Sequence, residues 1–167
     1  MHAMTKPIQT PSHVSEYPHG QSSYKRTIHV YETDKDGVVH FSNYFRFAEE
    51  ALYSELGKLG FSFEQAGYSM AMINACANYI HPIKFAEQLN IVISDIKVKR
   101  VKLLFQLDFN AGQQVNVARI QLTFVLIDLE NRKSMPVPED LKSSLSQAII
   151  GSDNVPSDAN PEMKINT

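Results

Sequence analysis

A chain of 167 residues with 43% hydrophobic content can bury one sizeable core and falls within the usual length of a single domain. Its net charge of −2 gives nucleic acid no electrostatic footprint, and no apolar run approaches the ~20 residues that span a bilayer. Residues 1–25 lack the apolar core of a signal peptide, so a soluble, cytoplasmic protein is expected, with neither nucleic acid nor membrane as partner.

Residues 1–23 are rich in Pro, Ser, Gln and His and show no period, so they read as a flexible tail ahead of a domain over 24–150. Residues 26–32 alternate, with Ile28 and Val30 on one side and Thr27, His29 and Tyr31 on the other, which is the period of a half-buried strand. Asp34-Lys35-Asp36-Gly37 reads as a turn in which Gly37 takes a positive φ. From Ser42 or Asn43, either one a possible N-cap, Tyr44, Ala48, Ala51, Leu52, Leu56 and Leu59 recur at helical spacing until Gly57 or Gly60 ends the helix. About 16 residues would run about 24 Å. The helix is apolar over more than one stripe, so it is expected to be mostly enclosed.

Four strands follow over 69–84, 89–99, 101–110 and 114–129, with Ala111-Gly112-Gln113 as a hairpin turn. The only cysteine, Cys76, excludes an internal disulfide and a multi-cysteine zinc site; within its apolar segment it is expected to be a small buried hydrophobe. In the 89–99 strand Ile91, Ile93, Asp95 and Lys97 should share one face, and Val92, Ser94, Ile96 and Val98 the other. The last strand is apolar on both faces near its end, as in the middle of a covered sheet or at an interface. A short helix over 139–149, with Leu141, Leu145, Ala148 and Ile149 as its stripe, closes at Gly151, and the polar residues 151–167 read as a second tail. One strand, one long helix and four consecutive antiparallel strands make an α+β domain with the helix wrapped by the sheet.

The junction at 31–47 carries the chemistry. Free N–H groups in a helix's first turn, together with the helix dipole, favour an oxygen that is gaining negative charge, such as a carbonyl oxygen under attack. If the amides near Phe41 and Ser42 polarise a carbonyl, Asp34 lies a few residues upstream, placed to activate water or to attack the carbon itself. Such an acyl-transfer site needs no serine, cysteine or metal.

The run Thr33-Asp34-Lys35-Asp36-Gly37-Val38-Val39-His40-Phe41-Ser42-Asn43-Tyr44-Phe45 resembles the Asp-x-x-Gly-[Val/Ile]-Val-x-x-x-[Asn/Ser]-Tyr signature of hotdog-fold acyl-CoA thioesterases, the 4-hydroxybenzoyl-CoA thioesterase and YbgC-like group. Tyr79-Ile80-His81-Pro82-Ile83-Lys84-Phe85-Ala86-Glu87 is similar to that group's aromatic-x-x-Pro-[Ala/Val]-[Arg/Lys]-x-x-Asp strand ending, and the likeness extends over about residues 24–147. It implies a hotdog fold, a long central helix wrapped by a five-stranded antiparallel sheet, and hydrolysis of an acyl- or aroyl-CoA thioester to free acid and coenzyme A. Asp34 then falls on the active-site aspartate, as nucleophile or general base, and Phe41 supplies the polarising backbone amide. Arg100 and Lys102 match basic positions that contact the nucleotide phosphates, although Val101 stands where the relative has a third basic residue. His40 stands where relatives more often carry an aromatic residue, and Glu49 aligns with a glutamate common in YbgC-like relatives, where it could orient a water beside Asp34.

The same resemblance implies a pocket between two subunits, hence a homodimer as the active unit, within a homotetramer. It implies no cofactor beyond the coenzyme A of the substrate, and no metal. Near the helix start Tyr44 and Phe47 could line the acyl pocket. Met70 and Met72, on the strand that the partner contributes, would give it a pliant wall. The alternatives are an acyl-carrier-protein thioesterase, a hydroxyacyl-thioester dehydratase using His40 with Glu49, and a non-catalytic acyl-CoA binder. Calcium binding by Asp34-x-Asp36-Gly37 fails because the glycine comes early and no glutamate holds the twelfth position. A serine triad fails because no Gly-x-Ser-x-Gly elbow surrounds Ser42, which reads as a helix cap.

Overall fold

The computed structural model describes residues 23–61, 63–112 and 115–150. Strand β1 (Ser23–Thr27) leads through a single 3-10 turn (Val30–Glu32) to helix α1 (Asn43–Lys58). A short helix α2 (Phe63–Ala66) precedes β2 (Tyr68–Tyr79), β3 (Gln88–Val98), β4 (Leu103–Ala111), β5 (Val115–Asp128), the two-residue β6 (Ser134–Met135) and α3 (Glu139–Ile150). All pairings are antiparallel, in the order β1-β3-β4-β5-β2, with β6 pairing with β5. The expected sheet therefore gains a sixth, minimal strand, and α2 is a helix that no periodicity announced. The expected tails lie outside the described residues, except Ser23, which opens β1.

The sheet folds around α1, whose Tyr44, Phe47, Ala48, Ala51, Leu52 and Leu56 are buried against it. Each large side chain on that face stabilises the fold by about 1.5–3 kcal/mol. The helix ends at Lys58 with Gly60 at φ +73, the Gly60 N–H bonding to the Gly57 carbonyl and the Phe61 N–H to the Leu56 carbonyl, so the last carbonyls are satisfied as in a Schellman cap. At the other end Ser42 flanks the helix but makes no side-chain capping bond, contrary to its reading as a cap; its hydroxyl lies 2.8 Å from His40 Nδ1 instead. Helix α3 closes one side of the core with Leu141 and Leu145; the side chains of Ala148 and Ile149, like Gly151, lie outside the described residues.

Three expectations are corrected by tertiary contacts. The strand expected over 26–32 stops at Thr27, because the Glu32 carboxylate accepts the His29 N–H and winds 30–32 into a 3-10 turn, leaving Val30 exposed while Ile28 is buried. In β3 the pairing with β4 slips between Ile93 and Asp95. One extra residue flips the faces, so Leu89, Ile91 and Ile93 point inward before the bulge and Ile96 and Val98 after it. A second bulge in β2, between Met72 and Asn74, leaves Cys76 exposed on the edge strand rather than buried. The Ala111-Gly112 turn does form, with Gly112 at positive φ; Gln113 lies outside the described residues. Strand β5 is interior, between β4 and β2, as its apolar faces required. Among the described residues no helix is long and apolar enough to cross a membrane.

Candidate active site

The turn after the 3-10 segment is built by its own side chain. The Asp34 carbonyl accepts the Gly37 N–H at 3.0 Å, and Gly37 at φ +76 takes the left-handed conformation that the reversal requires. Asp34 Oδ1 accepts the Asp36 N–H at 2.9 Å and lies 3.4 Å from the Val38 nitrogen. Asp34 Oδ2, by contrast, has no donor among the described residues, and the side chain is half-buried. One carboxylate oxygen is thus anchored while the other makes no hydrogen bond among the described residues.

The chain then runs to α1 under firm control. Val38 bridges Lys84, and the Val39 N–H donates to the Ile83 carbonyl at 2.8 Å, tying this segment to the loop after β2. The His40 N–H and Asn43 Nδ2 both donate to the Glu32 carbonyl, at 2.9 and 2.8 Å. The Asn43 N–H is taken by the His40 carbonyl, and the Ser42 N–H leans on His40 Nδ1 at 3.4 Å. That leaves the Phe41 N–H, which no acceptor among the described residues reaches. An unsatisfied amide just before a helix N-terminus, with the helix dipole behind it, is electrostatically suited to an oxygen that gains negative charge.

Tyr79, at the end of β2, donates its hydroxyl to the Phe41 carbonyl at 3.0 Å and packs edge-on against Tyr44 with ring centroids 5.2 Å apart. Burial pushes the Tyr79 hydroxyl above its ordinary pKa, with the Cys76 thiol adding to the shift, so it remains a protonated donor at neutral pH. Tyr44 beneath it is pushed up to about 12, mainly by burial. The reading of residues missed Tyr79, although it heads the second motif; an aromatic hydroxyl at a strand end beside a loop was the available signal.

The remaining expected residues fall in five places. His40 sits beside Phe41 with ring centroids 4.3 Å apart and its Nδ1 engaged by Ser42. Tyr44 and Phe47 lie inside the core, with Phe47 under the Arg26 guanidinium at 3.6 Å, so in the protomer neither offers surface to a ligand as the pocket reading required. Met70 and Met72 pair with Leu126 and Phe124; Met70 packs against the core, whereas Met72 is exposed at the sheet edge. Glu49 is exposed on α1 without a hydrogen bond or ion pair among the described residues, whereas Glu50 pairs with Arg26 at 2.5 Å.

Arg100 and Lys102 occupy the β3–β4 turn and are exposed. That turn leads into Leu103, the first residue of β4, which pairs with Phe124 and through it lies level with Met72. Met72 and Tyr79 are separated by about 20 Å along β2 at roughly 3.3 Å per residue. The basic turn and the Asp34–Phe41 junction therefore stand at opposite ends of one protomer's sheet.

A long helix enclosed by an antiparallel sheet, with an acidic turn ahead of its N-terminus, defines a hotdog-fold protein. Residues 28–145 match the model of the thioesterase-like superfamily; the chain belongs to that superfamily and is a thioester hydrolase. A 1,4-dihydroxy-2-naphthoyl-CoA hydrolase of Thermosynechococcus vestitus is 29% identical over 131 residues, covering 75% of this chain and 88% of its own. A putative esterase of Aquifex aeolicus is 27% identical over 121 residues, 71% of this chain and 92% of its own. Among solved structures, a 1,4-dihydroxy-2-naphthoyl-CoA thioesterase from Synechocystis superposes with a TM-score of 0.68 at 22% identity, covering 74% of this chain and 94% of its own. A Staphylococcus aureus protein in complex with CoA reaches 0.75 at 14% identity, with coverages of 92% and 99%. At such identities the two structures establish the fold alone.

Proposed function

We propose that the protein hydrolyses an acyl-CoA thioester, with an aromatic acyl group as the favoured class, to free acid and coenzyme A. The observation that carries this reading is the pairing of an anchored carboxylate, Asp34, with the Phe41 N–H on the same loop, the second carboxylate oxygen and that N–H both being without a partner among the described residues. The thioester oxygen accepts from Phe41, so negative charge developing there meets a fixed donor and the positive end of α1. Asp34 Oδ2 either attacks the carbonyl carbon, expelling the thiolate and leaving a mixed anhydride that water cleaves, or takes a proton from the attacking water. His40, held through Nδ1, keeps Nε2 for exchange with the departing thiolate.

The curated naphthoyl-CoA hydrolase relative supports an aroyl group, as do the exposed Phe41 and Tyr79 at the junction. The separation of the basic turn from the junction, about 20 Å along β2, favours a dimer through β2, whose outer edge pairs with no strand among the described residues and presents Met72, Ile73, Tyr79 and Ile80. Antiparallel pairing of two such edges would set one protomer's Tyr68 end, with its basic turn, beside the other's Tyr79 end. Both halves of a CoA ester would then be met. A panel of aromatic, short aliphatic and long aliphatic CoA esters, followed by loss of thioester absorbance, tests the reading. Turnover fastest on aromatic esters is expected, and no turnover on any ester would overturn it.

A further inference from the structure

Glu32 is 1% exposed and is the one buried charged residue of the described core. Its carboxylate takes Arg26 from β1, Arg46 from α1 at 2.8 Å and the His29 N–H at 2.9 Å. Its backbone carbonyl takes the His40 N–H and Asn43 Nδ2, and its chain continues through Thr33 into Asp34. One residue therefore holds the start of the catalytic loop at Asp34 and its end beside Phe41, and locks both to the strand and the helix behind them. Glu50 provides a comparison inside the same network. It meets Arg26 at 2.5 Å and Arg46 at 3.8 Å, but its backbone lies within α1 and, among the described residues, no bond joins it to the loop.

Resting on the thioesterase reading, we propose that Glu32 is a positioning residue that sets the separation between the Asp34 carboxylate and the Phe41 amide. A buried carboxylate shared by two arginines resists displacement, because any shift unpairs it from Arg26, which is largely buried with it. The rigid carboxylate fixes the carbonyl on the same residue, and the carbonyl fixes the loop. Misplacement of a catalytic group by about 1 Å costs on the order of 100-fold in rate.

The test compares Glu32→Gln, Glu50→Gln and Asn43→Ala in the full chain, measuring kcat, KM and melting temperature on the best ester of the panel. Glu32→Gln should lower kcat at least about ten-fold with KM nearly unchanged, since it touches no group proposed to bind CoA. Glu50→Gln, which weakens the same arginines, should lower the melting temperature while leaving kcat within about two-fold. Asn43→Ala removes one donor from the Glu32 carbonyl and should lower kcat at least about three-fold with little thermal cost. A Glu32→Gln enzyme of wild-type kcat, or a Glu50→Gln enzyme that falls as far, overturns the proposal. If Glu32→Gln does not fold, an unchanged kcat in Asn43→Ala overturns it. Asp34→Asn belongs in the same series. Full activity there defeats the catalytic assignment itself, whereas an inactive Asp34→Asn beside a fully active Glu32→Gln defeats the positioning role alone.

Discussion

Replacing Asp34 with Asn changes very little except the chemistry. The amide oxygen of Asn can still accept from the Asp36 and Val38 N–H groups that Oδ1 serves at 2.9 and 3.4 Å, so the turn and its Gly37 conformation are kept. Stability should then move by no more than about 0.5 kcal/mol, as for a half-exposed substitution that breaks no buried contact. The unpartnered Oδ2 becomes an NH₂ group that can neither attack a carbonyl nor accept a proton from water. Loss of a general base or nucleophile costs about 100- to 10,000-fold, or roughly 2.7–5.4 kcal/mol in the barrier at 1.36 kcal/mol per decade. Turnover is best followed by thioester absorbance, because the exposed Cys76 thiol would itself consume a thiol reagent. Asp36→Asn is the matched control, removing one charge from the same turn where the carboxylate only meets Lys35 on the surface. An Asp34→Asn enzyme with the wild-type rate, or an Asp36→Asn enzyme as impaired, would refute the assignment.

Tyr79→Phe removes the hydrogen bond that holds the Phe41 peptide, worth about 0.5–1.5 kcal/mol, so kcat should drop by up to about ten-fold; steady-state kinetics with an unchanged rate would show that the peptide needs no such support. Arg100→Ala combined with Lys102→Ala should raise KM for CoA esters yet spare a truncated pantetheine ester that lacks the nucleotide. Equal effects on the two substrates would remove the nucleotide clamp. Tyr44, raised to about 12 when folded against an ordinary 10.0, contributes stability that is complete below pH 10 and is lost as pH rises from there towards 12, since the unfolded chain gives up the proton first. Thermal unfolding across that window should show a shallower decline for Tyr44→Phe than for the wild type; an identical slope would rule Tyr44 out as its source.

The elements that short-range physics controls were legible in the residues. Gly37 had to supply the positive φ of the acidic turn, the apolar spacing from Tyr44 to Leu56 had to wind a buried helix, and Gly60 had to stop it. The acidic turn and the helix start that carry Asp34 and Phe41 were legible for the same reason, because a turn followed by a helix start is a local object.

Other features depend on partners distant in the chain. That Ile93 and Ile96 both face the core is decided by where the β3–β4 pairing slips its register, and whether Cys76 is covered is decided by β2 ending up at the sheet edge. Phe47 carries the same apolar signature in a pocket wall or a core, and only the packing of Arg26 over its ring selects the core. Glu32 looked like one polar position in a strand until Arg26, Arg46 and Asn43 converged on it from 6, 14 and 11 residues away. The sequence by itself determined the acidic turn, the helix behind it and the strands that follow, since each is settled by neighbours within a few residues. The tertiary structure alone decided register, burial and the distance from Asp34 to the basic turn, because those follow from which strands share hydrogen bonds, and no local pattern encodes that choice.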